Sequence, residues 1–170
     1  ASHFDQFDDT KARSPNDLYG GGIAYFTDSF PIAQSYSRAA KRRKNMPKDS
    51  EPTVIKAQLN LKRTFDIDQL YSSDIVKKII KISNIKMEDF LRGAGLLRLG
   101  GKDQYQLETE LDRGELKLTG KQIFYGISGG GAKSTHAREI LKKAGFDSLR
   151  YTGGEIMGGE KHNVWLPFYK

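Results

Sequence analysis

Gly22-Ile-Ala-Tyr-Phe-Thr-Asp-Ser-Phe-Pro-Ile-Ala-Gln-Ser-Tyr36 has the pattern of a short strand, a tight turn and the start of a helix. Residues 23–26 are an apolar run behind three glycines, which predicts a strand entered through a flexible turn. Asp28 and Ser29 are residue types that cap helices, and Pro31 suits a first helical turn. Apolar residues then recur at helical spacing, so we predict a helix that continues to about residue 44.

Two tyrosines lie at special places in this strand–helix unit. Tyr25 falls at the end of the predicted strand, and Tyr36 lies on the helix that follows a tight connection. Two such rings can face each other across a cleft and sandwich a flat ligand ring, while glycine lets the backbone approach that ligand. The alternative is that both rings are buried in the core, and spacing alone favours that alternative.

Further elements are predicted on both sides of this unit. In chain order they are a strand over 53–61, mostly helix over 74–97, a helix and then a loop over 105–118, a strand over 123–127, a helix over 134–144 ended by Gly145, a strand over 146–151, a glycine-rich loop over 152–161 and a strand over 163–169. This order of strands and helices predicts an α+β domain.

Composition excludes several kinds of site. The chain has 170 residues, which suits one domain with one core. It has no cysteine, which excludes disulfides, thiolate zinc sites and cysteine nucleophiles. Its three histidines are scattered, so we expect no metal site. No apolar run approaches the ~20 residues that span a bilayer, so we expect no membrane contact.

The net charge of +7 is concentrated in one basic run. That run includes Arg38, Lys41, Arg42, Arg43 and Lys44. It predicts either a solvated helix face or a surface that contacts phosphates of a nucleic acid or an acidic partner. Only one aromatic residue lies near the run, so no base-stacking platform is evident.

The quoted stretch resembles the second motif of ADP-ribosyltransferases of the poly(ADP-ribose) polymerase and diphtheria-toxin type. It is more closely similar to the ADP-ribosyltransferases of phage and mobile-element polyvalent proteins. In that motif two tyrosines eleven positions apart stack on the nicotinamide of NAD+. The resemblance therefore implies NAD+ as co-substrate and implies a binding set of Gly22, Ala24, Tyr25, Phe26, Ala33 and Tyr36.

The beginning of the chain carries a second resemblance. Family members have a His-Gly-Ser or His-Gly-Thr strand and then a Phe-x-x-Phe-Asp segment. Phe4 and the pair Phe7-Asp8 match the second segment. We expect the His-Gly-Ser or His-Gly-Thr strand to lie upstream of Ala1, and we interpret His3 as a loop residue.

The end of the chain carries a third resemblance. Residues 144–151, the loop 152–161 and residues 162–168 are similar to the family's Gly-Tyr-Asp-Gly segment, acceptor loop and final strand. A glutamate often starts that strand in the family, but Asn163 has this position here. The implied catalytic residues are Tyr25, His162 and Asn163, with Glu160 as the alternative to Asn163, and the implied acceptor contacts are Glu155, Gly158 and Gly159.

The resemblance implies a split fold of two small, mostly antiparallel sheets around an NAD+ cleft. Helices flank the sheets, and residues 62–133 are expected to be a helical insertion. The implied function is mono-ADP-ribosyl transfer to a protein or nucleic acid, without a metal, in the cytoplasm of a bacterial or phage-infected cell. An antitoxin or a parent polyprotein is an implied partner. An inactive binding module and a basic nucleic-acid-binding domain are the alternatives.

Overall fold

The computed structural model describes residues 25–41, 51, 53–97, 101–154 and 159–168. Within these residues the chain forms two small sheets and six helices. The elements in chain order are β1 (Phe26–Thr27), α1 (Phe30–Lys41), β2 (Thr64–Asp66), β3 (Leu70–Tyr71), α2 (Ser73–Ser83), α3 (Met87–Gly93), α4 (Gln104–Asp112), β4 (Leu118–Thr119), α5 (Gly120–Ser128), α6 (Ser134–Lys143), β5 (Ser148–Gly153) and β6 (His162–Pro167). The prediction of a mixed α+β chain is confirmed.

The larger sheet has four strands in the order β1-β6-β5-β2. β6 runs antiparallel to β1 on one side and to β5 on the other, with Leu149 opposite Leu166. β2 joins β5 in parallel, with Phe65 opposite Leu149. The smaller sheet is the antiparallel pair β3-β4. Strand pairing is therefore mostly antiparallel in the described part of the chain.

Side-chain alternation gives the larger sheet two different faces. One face carries apolar residues of β2, β5 and β6 that are almost fully buried in the main core, namely Phe65, Leu149, Val164 and Leu166. The other face carries the half-buried polar residues Asp66, Arg150, Thr152 and Asn163. The helices complete the apolar core on one side, and the polar side chains meet one another on the other side.

Helices α2 and α6 follow from apolar residues at helical spacing. Val76, Ile79 and Ile80 form the buried face of α2, and Ala137, Ile140 and Leu141 form that of α6. Gly145 ends α6 with φ of 95° and donates its N–H to the carbonyl of Lys142, as expected for a glycine after a helix. The predicted helix over 134–144 is confirmed, and the helical prediction for 74–97 is confirmed by α2 and α3.

The predicted strand over 123–127 is wrong, because these residues lie inside α5. Thr119 and Gln122 form a reciprocal capping box at the start of α5, and Gly129 ends it in the left-handed region. Ile123, Phe124 and Ile127 are buried on the helix. A short apolar run does not distinguish a buried strand from a buried helix, and the flanking caps carry the deciding signal.

The predicted strand over 53–61 is also wrong, because residues 53–61 contain no strand in the structure. The sequence alternation is not matched by burial, since Ile55 is 56% exposed. An isolated alternating segment has no ladder partner of its own, so it becomes a strand only where the fold supplies one. Here β5 pairs instead with β2, which begins at Thr64.

The remaining predicted elements near the ends are confirmed in type and shifted in bounds. The strand predicted over 146–151 is β5, the strand predicted over 163–169 is β6, and the helix after Asp28 is α1. The segment 62–133 is largely helical, but it also contributes β2 to the larger sheet and both strands of the smaller one. This segment is therefore part of the core and not only an addition to it.

Asp147 fastens the start of β5 to the start of β2. Its Oδ2 accepts hydrogen bonds from the backbone N–H groups of Lys62 and Arg63 at 2.6 and 3.0 Å, and its Oδ1 accepts one from Ser148 at 2.9 Å. Partial burial raises the pKa of this carboxyl, but the hydrogen bonds outweigh burial and the net pKa lies below its ordinary value of 3.8.

We expect Asp147→Asn to lower the free energy of unfolding by about 1 kcal/mol at neutral pH, because neutral acceptors bond more weakly than a carboxylate. A depressed folded-state pKa contributes stability that is present above the unfolded value and is lost as pH falls through the folded one. The difference between wild type and variant should therefore shrink below the ordinary value of 3.8. Urea unfolding across this pH range measures it. A gap that stays constant with pH would contradict the expectation, and exposed Asp112→Asn is the control.

We expect Gly126→Ala to lower the free energy of unfolding by about 1–3 kcal/mol through overpacking, even though alanine favours helix. A Cβ at this position of α5 would lie 2.5 Å from two ring atoms of Phe90, and that ring is fully buried in α3. Adding Phe90→Leu should recover part of the loss. Chemical denaturation of the three variants measures this, and a Gly126→Ala protein as stable as wild type would contradict it.

Candidate functional site

A cavity of about 550 Å³ lies between the start of α1 and the adjoining ends of β5 and β6. One wall comes from the turn after β1 and the first residues of α1, which are Asp28, Ser29, Phe30 and Pro31. The other wall comes from the end of β5 and the start of β6, with the residues Thr152, Glu160, Lys161, His162 and Asn163. The cavity therefore joins segments from the two ends of the described chain.

Asn163 occupies the centre of the polar contacts in this cavity. Its backbone N–H donates to Asp28 Oδ1 at 3.0 Å, and its Nδ2 donates to Asp28 Oδ2 at 2.6 Å. Its Oδ1 accepts from Nε of Arg150 at 3.1 Å and also from Nη2 of Arg150. Because Asp28 accepts and Arg150 donates, only one orientation of the Asn163 amide satisfies both partners.

The same contacts continue across the sheet to β2. Arg150 pairs through Nη1 with Asp66, and both residues are half-buried. The backbone N–H of Asp66 donates to Tyr71 Oη at 2.7 Å, and burial of that phenol raises the pKa of Tyr71 to about 12. A series of bonded side chains therefore runs from β2 across β5 and β6 to the turn after β1. We call this series the polar chain, and its members are Asp66, Arg150, Asn163 and Asp28.

Asp28 is the ionised end of the polar chain. The side-chain hydrogen bond from Asn163 is the largest cause that lowers the pKa of Asp28 below its ordinary value, and the backbone N–H of Asn163 and the nearby His162 act in the same direction. Asp28 is exposed to solvent in the cavity. The cavity therefore holds an oriented carboxylate at neutral pH.

His162 lies beside Asn163 and is 8% exposed. Its Nδ1 lies 2.8 Å from the carbonyl oxygen of Glu160, so Nδ1 carries the proton and donates it. A Cβ at Gly153, which pairs with His162 across the strands, would lie 2.6 Å from Nε2 of that ring. Glycine at 153 therefore makes room for the imidazole.

The start of α1 adds a positive field to the cavity. Ser29 N–H donates to Thr27 Oγ1 at 3.1 Å, and the carbonyl of Ser29 accepts the first helical bond from Ala33. Free N–H groups and the helix dipole favour negative groups at this end. Lys161 on the opposite wall has the same sign, whereas Asp28 and Glu160 have the opposite sign. The cavity thus presents both anion-binding and cation-binding groups.

Comparisons with models of protein families, with curated proteins and with solved structures found no match to this chain. Any functional assignment therefore depends on the chemistry of this cavity and on the resemblance of the motifs.

Three residues proposed from the sequence as catalytic meet in the cavity. Asn163, His162 and Glu160 all line it. Tyr25 and Tyr36 do not line it, and they are 43% and 69% exposed, so the alternative that both rings are core is wrong. Their stacking on nicotinamide stays a prediction.

Among the other sequence-derived site residues, those that the structure describes lie outside the cavity wall. Phe26 and Ala33 are half-buried in β1 and α1, and Gly159 is exposed with its N–H bonded to the carbonyl of Gly154 at 3.1 Å. Four further positions lie outside the described residues, namely Gly22, Ala24, Glu155 and Gly158. In the basic run, Arg38 is exposed on α1 and Lys41 ends that helix, while Arg42, Arg43 and Lys44 lie outside the described residues.

Sequence reasoning missed Asp28 and Arg150 as members of the site. Asp28 was interpreted only as a helix cap, but both its carboxylate oxygens bond to a residue 135 positions away. The sequence feature that could have indicated Asp28 was Asn163 itself. An amide in place of the expected carboxylate indicates that a neighbouring group accepts a hydrogen bond from this position. Arg150 carried no local signal beyond its place in a strand.

Two kinds of feature are absent from the described ranges, a metal-binding cluster and a membrane-spanning helix. No group of three or more His, Cys, Asp or Glu side chains is placed there to hold a metal ion. None of the helices in this part of the chain is long and apolar enough to cross a membrane.

We expect Asn163→Asp to lower the free energy of unfolding by about 1–2 kcal/mol, because a carboxylate oxygen would replace the donor that faces Asp28. The wild-type donor and acceptor are 2.6 Å apart. Gln58→Glu adds the same charge at an exposed position and is the matched control. Urea unfolding at neutral pH measures both variants. Equal stability of the two would show that the Asp28 contact does not discriminate amide from carboxylate.

Proposed function

We propose that this chain is a mono-ADP-ribosyltransferase that transfers ADP-ribose from NAD+ to a protein or nucleic-acid acceptor and releases nicotinamide. The observation that carries the proposal is the shared cavity. The turn that follows Tyr25 and Phe26 supplies one wall, and residues 160–163, at the start of the last strand, supply the other. These are two of the segments that resemble the family, and they meet although they are far apart in the chain.

The chemistry of the cavity suits the parts of NAD+. Its volume of about 550 Å³ is within the usual range for small-molecule sites. The start of α1 and Lys161 suit the pyrophosphate, because helix N-termini and ammonium groups attract phosphates. Asp28 and Glu160 are acceptors for ribose hydroxyls, and the exposed ring of Phe30 is a surface for an aromatic base.

The proposed reaction is a substitution at the nicotinamide ribose. The bond from the anomeric carbon to the pyridinium nitrogen breaks, and its electron pair leaves with neutral nicotinamide. Positive charge develops on the ribose, and an oriented carboxylate stabilises it. A nucleophilic oxygen or nitrogen of the acceptor then bonds to the anomeric carbon and loses its proton. The split fold of the family around an NAD+ cleft is part of this proposal.

A catalytically inactive binding module is the second candidate. It is favoured by one observation, which is that Asn163 uses its amide oxygen for Arg150 and its amide nitrogen for Asp28. An amide whose oxygen and nitrogen are both hydrogen-bonded within the protein helps to hold the cavity together. It has little hydrogen-bonding capacity left for a ribose hydroxyl. If no other group of the cavity promotes the reaction, the chain would bind NAD+ without turnover.

Incubation with NAD+ labelled in the adenylate distinguishes these candidates. The chain is mixed with labelled NAD+ in the presence of cell protein or of RNA and DNA, and released nicotinamide is quantified. Release together with label on protein or nucleic acid supports transfer and identifies the acceptor class. Binding of NAD+ without release supports the inactive module. Absence of both binding and release would overturn the proposal, and salt-sensitive nucleic-acid binding alone would favour a basic binding domain.

We expect Phe30→Ala to weaken NAD+ binding by about two- to tenfold, because one stacked ring contributes about 0.5–1.5 kcal/mol. Phe30 lines the cavity and is 65% exposed, so its removal should leave unfolding almost unchanged. Tyr105→Ala removes a 78% exposed ring from α4 and is the matched control. Isothermal titration with NAD+ measures both, and equal affinities would contradict the expectation. Tyr36→Ala in the same series tests the stacking role that the resemblance implies.

A further inference from the structure

The turn after β1 places a carboxylate at the level of the last strand where the resemblance implies a glutamate. β1 pairs with β6 so that Phe26 lies opposite Trp165 and Thr27 opposite Val164. Continued by one residue, this register sets Asp28 opposite Asn163. The two side chains are in fact joined, with 2.6 Å between Asp28 Oδ2 and Asn163 Nδ2. The carboxylate of Asp28 is thus one hydrogen bond away from the side chain at position 163.

We propose that Asp28 is the catalytic carboxylate of this site and that Asn163 and Arg150 are residues that position it. This inference depends on the proposed ADP-ribosyl transfer and assigns to the turn after β1 a role that the resemblance assigns to β6. Asp28 stabilises the positive charge on the ribose as the bond to nicotinamide breaks and the bonding pair leaves with nicotinamide. No covalent bond to Asp28 forms, and the acceptor nucleophile releases its proton to water.

The hydrogen bonds around Asp28 explain why an amide occupies position 163. A carboxylate at 163 would face the carboxylate of Asp28, whereas the Asn163 amide gives Asp28 a donor and gives Arg150 an acceptor. Arg150 is itself held by Asp66, so the amide cannot turn over without breaking contacts at both ends. Preorganisation of this kind is what makes a charged group effective at a transition state.

Glu160 is the other carboxylate in the cavity wall, and it is less well prepared for the role. Its carbonyl oxygen is bonded to His162, but within the described residues no hydrogen bond orients its side chain, which is exposed. Asp28 in contrast is oriented through both oxygens. Hydrogen bonds to these oxygens also keep the pKa of Asp28 low, so the carboxylate is charged at neutral pH.

Two double variants separate a catalytic carboxylate from a structural contact. Asp28→Asn with Asn163→Asp exchanges the two side-chain types and retains a donor and an acceptor in every bond, with the carboxylate moved onto β6. Asp28→Asn with Asn163→Ser also gives the new amide an acceptor, but leaves neither position charged. The experiment compares wild type, Asp28→Asn and both double variants. For each protein it measures nicotinamide release at saturating NAD+, the affinity for NAD+ and thermal unfolding.

We expect Asp28→Asn and the serine-containing double variant to lose about 100-fold in turnover, with a much smaller change in NAD+ affinity. The exchanged pair should recover about tenfold or more of that loss. Equal turnover in the two double variants at similar thermal stability, or wild-type turnover in Asp28→Asn, would overturn the role of Asp28 while leaving the transferase proposal intact. A wild-type chain that releases no nicotinamide and transfers no label would overturn both proposals.

Discussion

The larger sheet buries one of its faces in the core, and the hydrogen bonds of the polar chain connect its strands on the other face. Four side chains, each from a different segment along the sheet order β2, β5, β6 and the turn after β1, bond in series from Asp66 through Arg150 and Asn163 to Asp28. Each member supplies the donor or acceptor that the next one lacks, so removal of any member leaves a half-buried partner unsatisfied. The turn that begins α1 is thereby held against β6.

The cavity is a direct consequence of this contact. Because Asp28 is bonded to Asn163, the first residues of α1 face the start of β6 across a gap that Phe30 and Lys161 help to enclose. The strand pairing alone would bring β1 beside β6, but β1 has only two residues in the structure. The side-chain bonds of Asp28 extend that pairing by one position and orient the carboxylate. The functional proposals depend on this extension more than on the exposed tyrosines.

The architecture also shows how a residue type that departs from an expected motif can be consistent with the same chemistry. Asn163 is unfavourable as a source of negative charge, and considered by itself it weakens the case for catalysis. Asn163 and Asp28 together form a unit in which the negative charge lies in the turn after β1 and the amide of Asn163 holds that carboxylate by hydrogen bonds. The two positions exchange donor and acceptor, so their residue types are coupled and neither is free to change alone.

Local signals were sufficient for the helices other than α5 and for the class of the fold. Helical spacing of apolar residues located α2 and α6, and the turn residues before Pro31 located the start of α1. Short-range patterns report propensity and the face that becomes buried, which is why they identify long amphipathic segments reliably. Asn163 and His162, where a loop meets a strand near the end of the chain, were singled out by the family resemblance and not by these patterns.

Contacts between distant segments decided the rest. The alternating residues 53–61 form no strand, because strand formation depends on a ladder partner. The helix over residues 123–127 is an exception, because its caps lie in the neighbouring sequence. The bond from Asp28 to Asn163 joins residues 135 positions apart, and the sequence contains no local pattern for it. Side chains so far apart are brought together only by the strand order β1-β6-β5-β2, which places their strands side by side.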